Sequence, residues 1–362
     1  MDTLLTDLFQ AYYDARRNKR NTLNQLRFEM DLETNLINLY HDLRDRRYKP
    51  APSACFIVQD SVKREVFASE FRDRVVHHLY YNYVSALFDR SFIYDSYSCR
   101  KGKGTMLGIE RLEHHIRSVS RNYTREAYVL KMDIKGYFMS IDRTLLFNMV
   151  REMTEQFHMA MQTREIVDYL TEIIVKKDPL QGAKIRGNPH DWDDLPPSKC
   201  LSCSPVGVGL PIGDLTSQLF SNVFLGRLDW YVAMTLGFRH YGRYVDDFYI
   251  IDTDKERLRD AIPQIGQFLS SMKLRLNPQK VKIQPVTAPI RYLGAVVRPF
   301  YRHCFSKTMH QFMSRKDAYI FLRERNSPFS WLDVKYCLSA MNSYHGYLSH
   351  FRASRQLADI CM

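Results

Sequence analysis

Nowhere in its 362 residues does the sequence run to eighteen consecutive apolar side chains, which excludes a hydrophobic transmembrane helix. The opening Met1-Asp2-Thr3-Leu4-Leu5-Thr6-Asp7 lacks the basic-then-apolar order of a secretory signal, so a soluble protein in a cytoplasm is expected. Cysteine is sparse. The seven, at 55, 99, 200, 203, 304, 337 and 361, are odd in number and scattered, which argues against a disulfide framework. Cys200 and Cys203 form a lone C-x-x-C with no second pair at ligand spacing, so free thiols are expected rather than a zinc site. No Walker A spacing, internal repeat or low-complexity tail occurs either.

Acidic residues are also in the minority. Forty Asp and Glu against fifty-two Lys and Arg leave a formal charge of +12, which points to a polyanionic partner such as nucleic acid. Much of the charge is interleaved with aromatic rings, as in Tyr12-Tyr13-Asp14-Ala15-Arg16-Arg17 and Arg44-Asp45-Arg46-Arg47-Tyr48-Lys49. Cations for phosphates beside flat rings for bases suit a nucleic-acid channel. A hydrophobic content of 45% over this length can bury a large core in two or three domains or subdomains.

Helical and strand patterns alternate along the chain. Leu32, Leu36, Leu39 and Leu43 predict a leading helical element within residues 23–43. Strands are expected between Ala54 and Val66 and a helix over 70–90. Next comes Ser98-Cys99-Arg100-Lys101-Gly102-Lys103-Gly104-Thr105, before a helix over 106–120. Arg100, Lys101 and Lys103 beside two glycines and a helix start are the ingredients of a backbone-phosphate grip, although a solvated basic turn reads the same way. A short buried strand from Ala127 ends in Asp133, and a helix pair is expected over 150–176. Lys177 to Ser204, rich in Pro, Gly, Asp and Lys, reads as a long surface insertion. An apolar helix from Leu219, a charged helix over 255–272, paired strands over 274–283 and 290–297, and a helical, basic, aromatic last stretch complete the pattern.

Between these last elements stands Tyr244-Val245-Asp246-Asp247-Phe248, two adjacent carboxylates at the turn of a hairpin whose strands are apolar. Alone, the dipeptide is ordinary turn chemistry. With Asp133 on another strand end it has the acids that two-metal phosphoryl or nucleotidyl transfer requires.

In order and spacing these segments resemble reverse transcriptases from about residue 50 onward. Tyr244-Val245-Asp246-Asp247 resembles the YxDD box, and Asp133 with Phe138 the preceding catalytic-strand motif. Leu276-Asn277-Pro278-x-Lys280 and Tyr292-Leu293-Gly294 resemble the two motifs after it. The resemblance implies an α/β (α+β) right-hand polymerase: N-terminal helices and fingers over 1–120, palm over 121–145 and 205–300, helices and insertion over 146–204, and a helical thumb over 301–362. It implies that Asp133, Asp246 and Asp247, with the Ile134 carbonyl, hold two Mg²⁺ ions, with Mn²⁺ as a substitute. Lys280 would assist the pyrophosphate leaving group, Lys63 and Arg64 would bind the triphosphate, and Phe138 would gate the sugar. Ile212, Gly213 and Gln218 would lie near the incoming nucleotide. Tyr244, Tyr344, His345 and Arg352 would touch template and primer.

Where most relatives carry Gln-Gly-x-x-x-Ser-Pro, this chain has Ile212-Gly213-Asp214-Leu215-Thr216-Ser217-Gln218. That form is similar to reverse transcriptases of diversity-generating retroelements, bacterial or phage-encoded. The resemblance implies error-prone copying at adenines of a template-repeat RNA to diversify a target gene, with a small, basic, helical accessory variability protein as partner. A retron-like or defence-associated enzyme shares the core motifs and is the alternative. A non-catalytic RNA-binding module is disfavoured by the intact acids. No integrase, endonuclease zinc cluster, RNase H acidic set or maturase region is expected.

Overall fold

The computed structural model describes residues 3–17, 22–59, 63–324 and 331–351. Helix α1 (Leu4–Arg17) buries Leu4, Leu8, Ala11, Tyr12 and Ala15, a spacing of threes and fours that lays one apolar stripe along a helix. The single element expected over 23–43 is two helices, α2 (Leu23–Met30) and α3 (Leu32–Arg44). They part at Asp31, whose φ of −128° and ψ of 50° are not helical. Asn35 Nδ2 donates at 3.0 Å to the Phe28 carbonyl, one of the acceptors that the end of α2 leaves open.

Strands β1 (Ala54–Val58) and β2 (Arg64–Ala68) pair as an antiparallel hairpin. Helix α4 (Phe71–Ser91) buries Val75, Val76, Leu79, Val84 and Phe88, while Leu87 stays partly open. Helix α5 (Thr105–Val119) follows the glycine-containing basic loop. Then come β3 (Tyr128–Asp133), the single turn α6 (Tyr137–Ser140), α7 (Arg143–Glu155) and α8 (Met161–Lys176). The expected surface insertion contains β4 (Lys184–Ile185), which runs parallel to β1. Helix α9 (Leu215–Trp230) is buried nearly all round, as its apolar sequence requires. Strands β5 (Tyr241–Tyr244) and β6 (Asp247–Asp252), helix α10 (Lys255–Ser271) and strand β7 (Lys282–Pro285) follow.

The central sheet is antiparallel, in the order β5-β6-β3-β7. Side chains alternate across it. Leu130, Met132, Phe248 and Ile250 enter the larger core with residues of α4, α7, α8, α9 and α10. Val129, Tyr249 and Ile251 face the other way, against α5 and a second sheet. With both faces covered, β6 reads as a continuous apolar run.

That second sheet, in the order β10-β9-β8, consists of β8 (Ile290–Tyr292), β9 (Ala295–Arg298) and β10 (Tyr301–Cys304). It corrects the expectation that 274–283 pairs with 290–297. Asn277 caps a 3-10 turn over Pro278–Lys280, so the first segment forms a strand only at β7, which joins β3. The second folds on itself about Leu293 and Gly294, both at positive φ (48° and 87°), the pattern of a type I′ hairpin turn. Helices α11 (Ser306–Glu324) and α12 (Trp331–Leu348) follow β10. No helix among the described residues is long and apolar enough to cross a membrane.

Candidate active site

Tyr244 pairs with Asp247 in the β5–β6 register, which leaves Val245 and Asp246 as the two turn residues. Val245 has φ 55°, a left-handed conformation that costs a β-branched side chain about 1–3 kcal/mol. A fully buried Arg243 holds it there: Nη1 donates at 3.0 Å to the Val245 carbonyl. The same guanidinium forms a two-pronged pair with Asp229 of α9, at 2.6 Å through Nε and 2.7 Å through Nη2. Ser96 Oγ accepts from it at 3.2 Å, and the Tyr241 hydroxyl donates to Asp229 at 2.6 Å. Two charges can be removed from water in this way because each is paired and hydrogen-bonded on several sides.

Strand β3 sets Asp133 directly opposite Asp247. Facing residues of antiparallel strands have Cβ atoms about 5 Å apart, so the two carboxylates stand together at one end of the inner strands β3 and β6, with Asp246 in the adjoining turn. Lys280 Nζ lies 2.7 Å from Asp133 Oδ2, and Asn277 Nδ2 donates to Oδ1 at 3.3 Å. Lys131, diagonal to Asp247 in the register, brings Nζ to 3.3 Å from Asp247 Oδ1. Two cations therefore face three acids, and Asp246 is the least compensated. Burial, and then the charge of Asp133, push its carboxyl up to about 6. Burial raises Asp247 as well, against the pull of Lys131. The Lys280 ammonium is raised: burial opposes this, but the hydrogen bond to Asp133 and the charges of all three acids outweigh it.

Among the described residues no three acidic, histidine or cysteine side chains converge as a ready cage for an ion, and lysines engage Asp133 and Asp247. The donors themselves still fit hard divalent cations. They are carboxylates from neighbouring strands, held together against their own repulsion, and the Asp247 side chain keeps 31% of its surface open.

Beyond Asp133 the chain turns at Gly136 (φ 57°) into α6. Tyr137 is buried and donates at 2.7 Å to the Ser221 carbonyl, and the half-buried Phe138 ring lies 5.4 Å from it. Ile212 and Gly213 cross β2. The Ile212 carbonyl accepts from Phe67 N–H at 2.8 Å, and a Cβ on Gly213 (φ 138°) would overlap the Phe67 carbonyl oxygen. The Ile212 side chain packs against a small cluster of Cys55, Phe67, Met139 and Leu201. Gln218 is exposed and accepts from the Cys99 thiol at 3.0 Å. Arg64 is exposed at the start of β2, and Lys63 Nζ donates to the Asp193 carbonyl.

The family model described as reverse transcriptase (RNA-dependent DNA polymerase) matches residues 63–297, well over half of the sequence. The chain belongs to the reverse transcriptase family. Its mixed helix-and-sheet architecture is accordingly the right-hand polymerase fold. Among solved structures it is similar to apo telomerase from Candida tropicalis truncated from its C-terminal domain, at 11% identity and a TM-score of 0.47. That match covers 74% of this chain and only 58% of the telomerase chain. No curated protein matches the sequence.

Among the other candidate residues of this reverse transcriptase, Tyr244 adjoins the acids through its pairing with Asp247. Arg100 is an internal brace and not a free phosphate ligand. Its guanidinium pairs with Asp89 and donates to the carbonyls of Ile93 and Ser96 at 2.6 and 2.9 Å. Lys101 is exposed. Lys103 Nζ sits 4.1 Å from the Tyr94 ring centroid, and burial, then the Arg100 charge, lower it to about 8. Tyr244 packs on the second core, Tyr344 is half-buried beside Phe312, and His345 is exposed on α12. Arg352 falls outside the described residues.

Sequence reasoning missed Lys131, Asp229 and Arg243. A signal existed for two of them: Arg243 is a lone cation beside apolar strand residues, and Lys131, two residues before Asp133, must share its face of the sheet. Nothing in the sequence singled out Asp229 in α9.

Proposed function

We propose that the protein is an RNA-directed DNA polymerase that extends a primer on an RNA template with deoxynucleoside triphosphates. The observation that carries this reading is the facing of Asp133 and Asp247 across β3 and β6, with Asp246 in the adjoining turn. Asp133, Asp246 and Asp247, with the Ile134 carbonyl, would hold two divalent cations, Mg²⁺ or in its place Mn²⁺. Ions bound there would lower the pKa of a primer 3′-hydroxyl and neutralise triphosphate charge. Lys280, a mobile donor already drawn to these acids, would neutralise or protonate the leaving pyrophosphate. Lys63 and Arg64 would reach the triphosphate from the β1–β2 hairpin, the fingers of this reading, and Phe138 would exclude a 2′-hydroxyl. Primer extension with Mg²⁺ and deoxynucleotides tests it. Asp246→Ala and Asp247→Ala should each lower kcat on the order of 10³-fold, as loss of a principal electrostatic element does. Undiminished extension by either variant would overturn the assignment.

Ile212 and Gln218 support the finer reading that copying is inaccurate at adenines of a template-repeat RNA, in the service of diversifying a target gene with an accessory protein. Ile212 can only pack, whereas a Gln there could hydrogen-bond near the nucleotide and tighten the geometric check. Sequencing cDNA made by Ile212→Gln tests this, and an unchanged adenine error rate sinks it.

A further inference from the structure

We propose that residues 189–204 of the insertion form a fixed wall of the nucleotide pocket, latched to the β1–β2 hairpin by Glu65. The proposal rests on the polymerase reading and assigns a role to a segment that the sequence presents as a surface loop. This one stretch touches all three parts of the chain that carry nucleotide-handling candidates.

On the hairpin, Glu65 is 3% exposed and accepts from Leu201 N–H at 2.6 Å, from Trp192 Nε1 at 2.9 Å and from the Cys200 thiol at 3.8 Å. Two residues earlier, Lys63 Nζ donates to the Asp193 carbonyl. On the turn after Asp133, the Ser198 carbonyl oxygen comes so close to Gly136 that a Cβ there would lie 2.8 Å from it. Ser204 Oγ donates at 2.9 Å to the Met139 carbonyl just beyond Phe138. On the glycine-rich entry, a Cβ on Gly209 would overlap the Leu201 side chain, and Leu201 and Trp192 share an apolar cluster with Ile212 and Phe67.

A carboxylate buried under three donors is a clamp, because withdrawing the donors would leave it desolvated and unpaired. The wall is therefore anchored from below by Glu65 and packed from the side by Leu201. It sets the distance between the hairpin that carries Lys63 and Arg64 and the turn that carries Phe138. Loosening it enlarges the pocket while leaving the acids of the central sheet in place. Glu65 and Leu201 are positioning residues, and their removal should weaken nucleotide binding more than the chemical step.

The test uses the full chain with Glu65→Ala, Glu65→Gln and Leu201→Ala, in single-nucleotide incorporation with thermal unfolding as the folding control. The expected result is a rise of roughly tenfold in KM for the deoxynucleotide with kcat within about twofold, the signature of binding lost equally from the ground state and the transition state. Glu65→Gln, which keeps an acceptor oxygen, should recover part of the Glu65→Ala loss. Folded variants with unchanged KM, or with losses confined to kcat, overturn the wall. Amide hydrogen exchange decides the latch without any turnover: the Leu201 amide should be slow in the unmutated chain and fast in Glu65→Ala, and equal rates overturn it. Failure of the unmutated chain to extend a primer would count instead against the polymerase reading.

Discussion

At the scale of single residues, the site is a balance between acids that repel and cations that restrain them. Arg243 does most to fix the geometry, because it neutralises Asp229 in the core and holds the strained Val245 carbonyl with the same guanidinium. Arg243→Met leaves Asp229 buried and unpaired, so stability should fall by about 3–5 kcal/mol in urea unfolding. The double variant Arg243→Met/Asp229→Leu should recover much of that loss, since an apolar pair has no charge to desolvate; no recovery would show that the turn, and not the charge, sets the cost. Asp246 makes a different prediction. Its carboxyl is raised from an ordinary 3.8 to about 6. The protein free of divalent ions therefore keeps this group's contribution to stability below about pH 4 and loses it as pH rises through about 6. Thermal unfolding of Asp246→Asn and the unmutated chain, in chelator, should diverge in favour of the variant across that window and run parallel above it. Parallel curves throughout would show that Asp246 is not strained in this way.

At the level of elements, two hairpin turns and one helix entry do the positioning, and each depends on backbone that few residues tolerate. The β5–β6 turn holds Val245 at positive φ, the β8–β9 turn holds Leu293 and Gly294 there, and the entry to α9 passes Gly213 against β2. Gly213→Ala combines an unfavourable φ of 138° with overlap on the Phe67 carbonyl, so the Ile212–Phe67 hydrogen bond must lengthen or break. A loss of about 2 kcal/mol or more is expected from such a clash at a strained position, read as a lower unfolding temperature. An alanine variant as stable as the parent would show that β2 and the entry are not tightly packed. The helix over 70–90, the β1–β2 hairpin and the Asp-Asp turn were legible in the sequence because local periodicity and turn chemistry specify them. The split of α2 from α3 and the separation of β7 from β8 were not. Asp31 is an unremarkable residue in a helical pattern, and a strand's partner is fixed by the path of the chain and not by the strand's own alternation.

For the whole molecule, an excess of positive charge should make binding to a single-stranded template strongly dependent on salt, with a log–log slope near −0.7 for each phosphate neutralised. Within the basic loop Lys101 is exposed and can meet a phosphate, whereas Arg100 is spent on internal contacts. Lys101→Ala should flatten the slope by about 0.7 with no change in unfolding temperature if it meets a phosphate. Arg100→Ala should lower the unfolding temperature, because its contacts with Asp89, Ile93 and Ser96 are internal. Filter or anisotropy binding across a salt series, paired with thermal scans, separates the two, and equal behaviour of both variants would contradict this division.

Local pattern alone marks the side chains that demand an explanation: Asp133, Asp246 and Asp247 at strand ends, Phe138 beyond them, and the glycines beside Ile212. Spacing and local pattern are properties of neighbours in the chain, and they carry the candidate acids and the family resemblance together. Which partner answers each charge is set by the folded chain. Lys280 meets Asp133 across 147 residues, Arg243 meets Asp229 across 14, and Glu65 gathers the Leu201 amide from 136 residues away. A buried charge announces that it needs a partner, but which one it finds depends on how the folded chain brings distant segments together, and no local pattern encodes that.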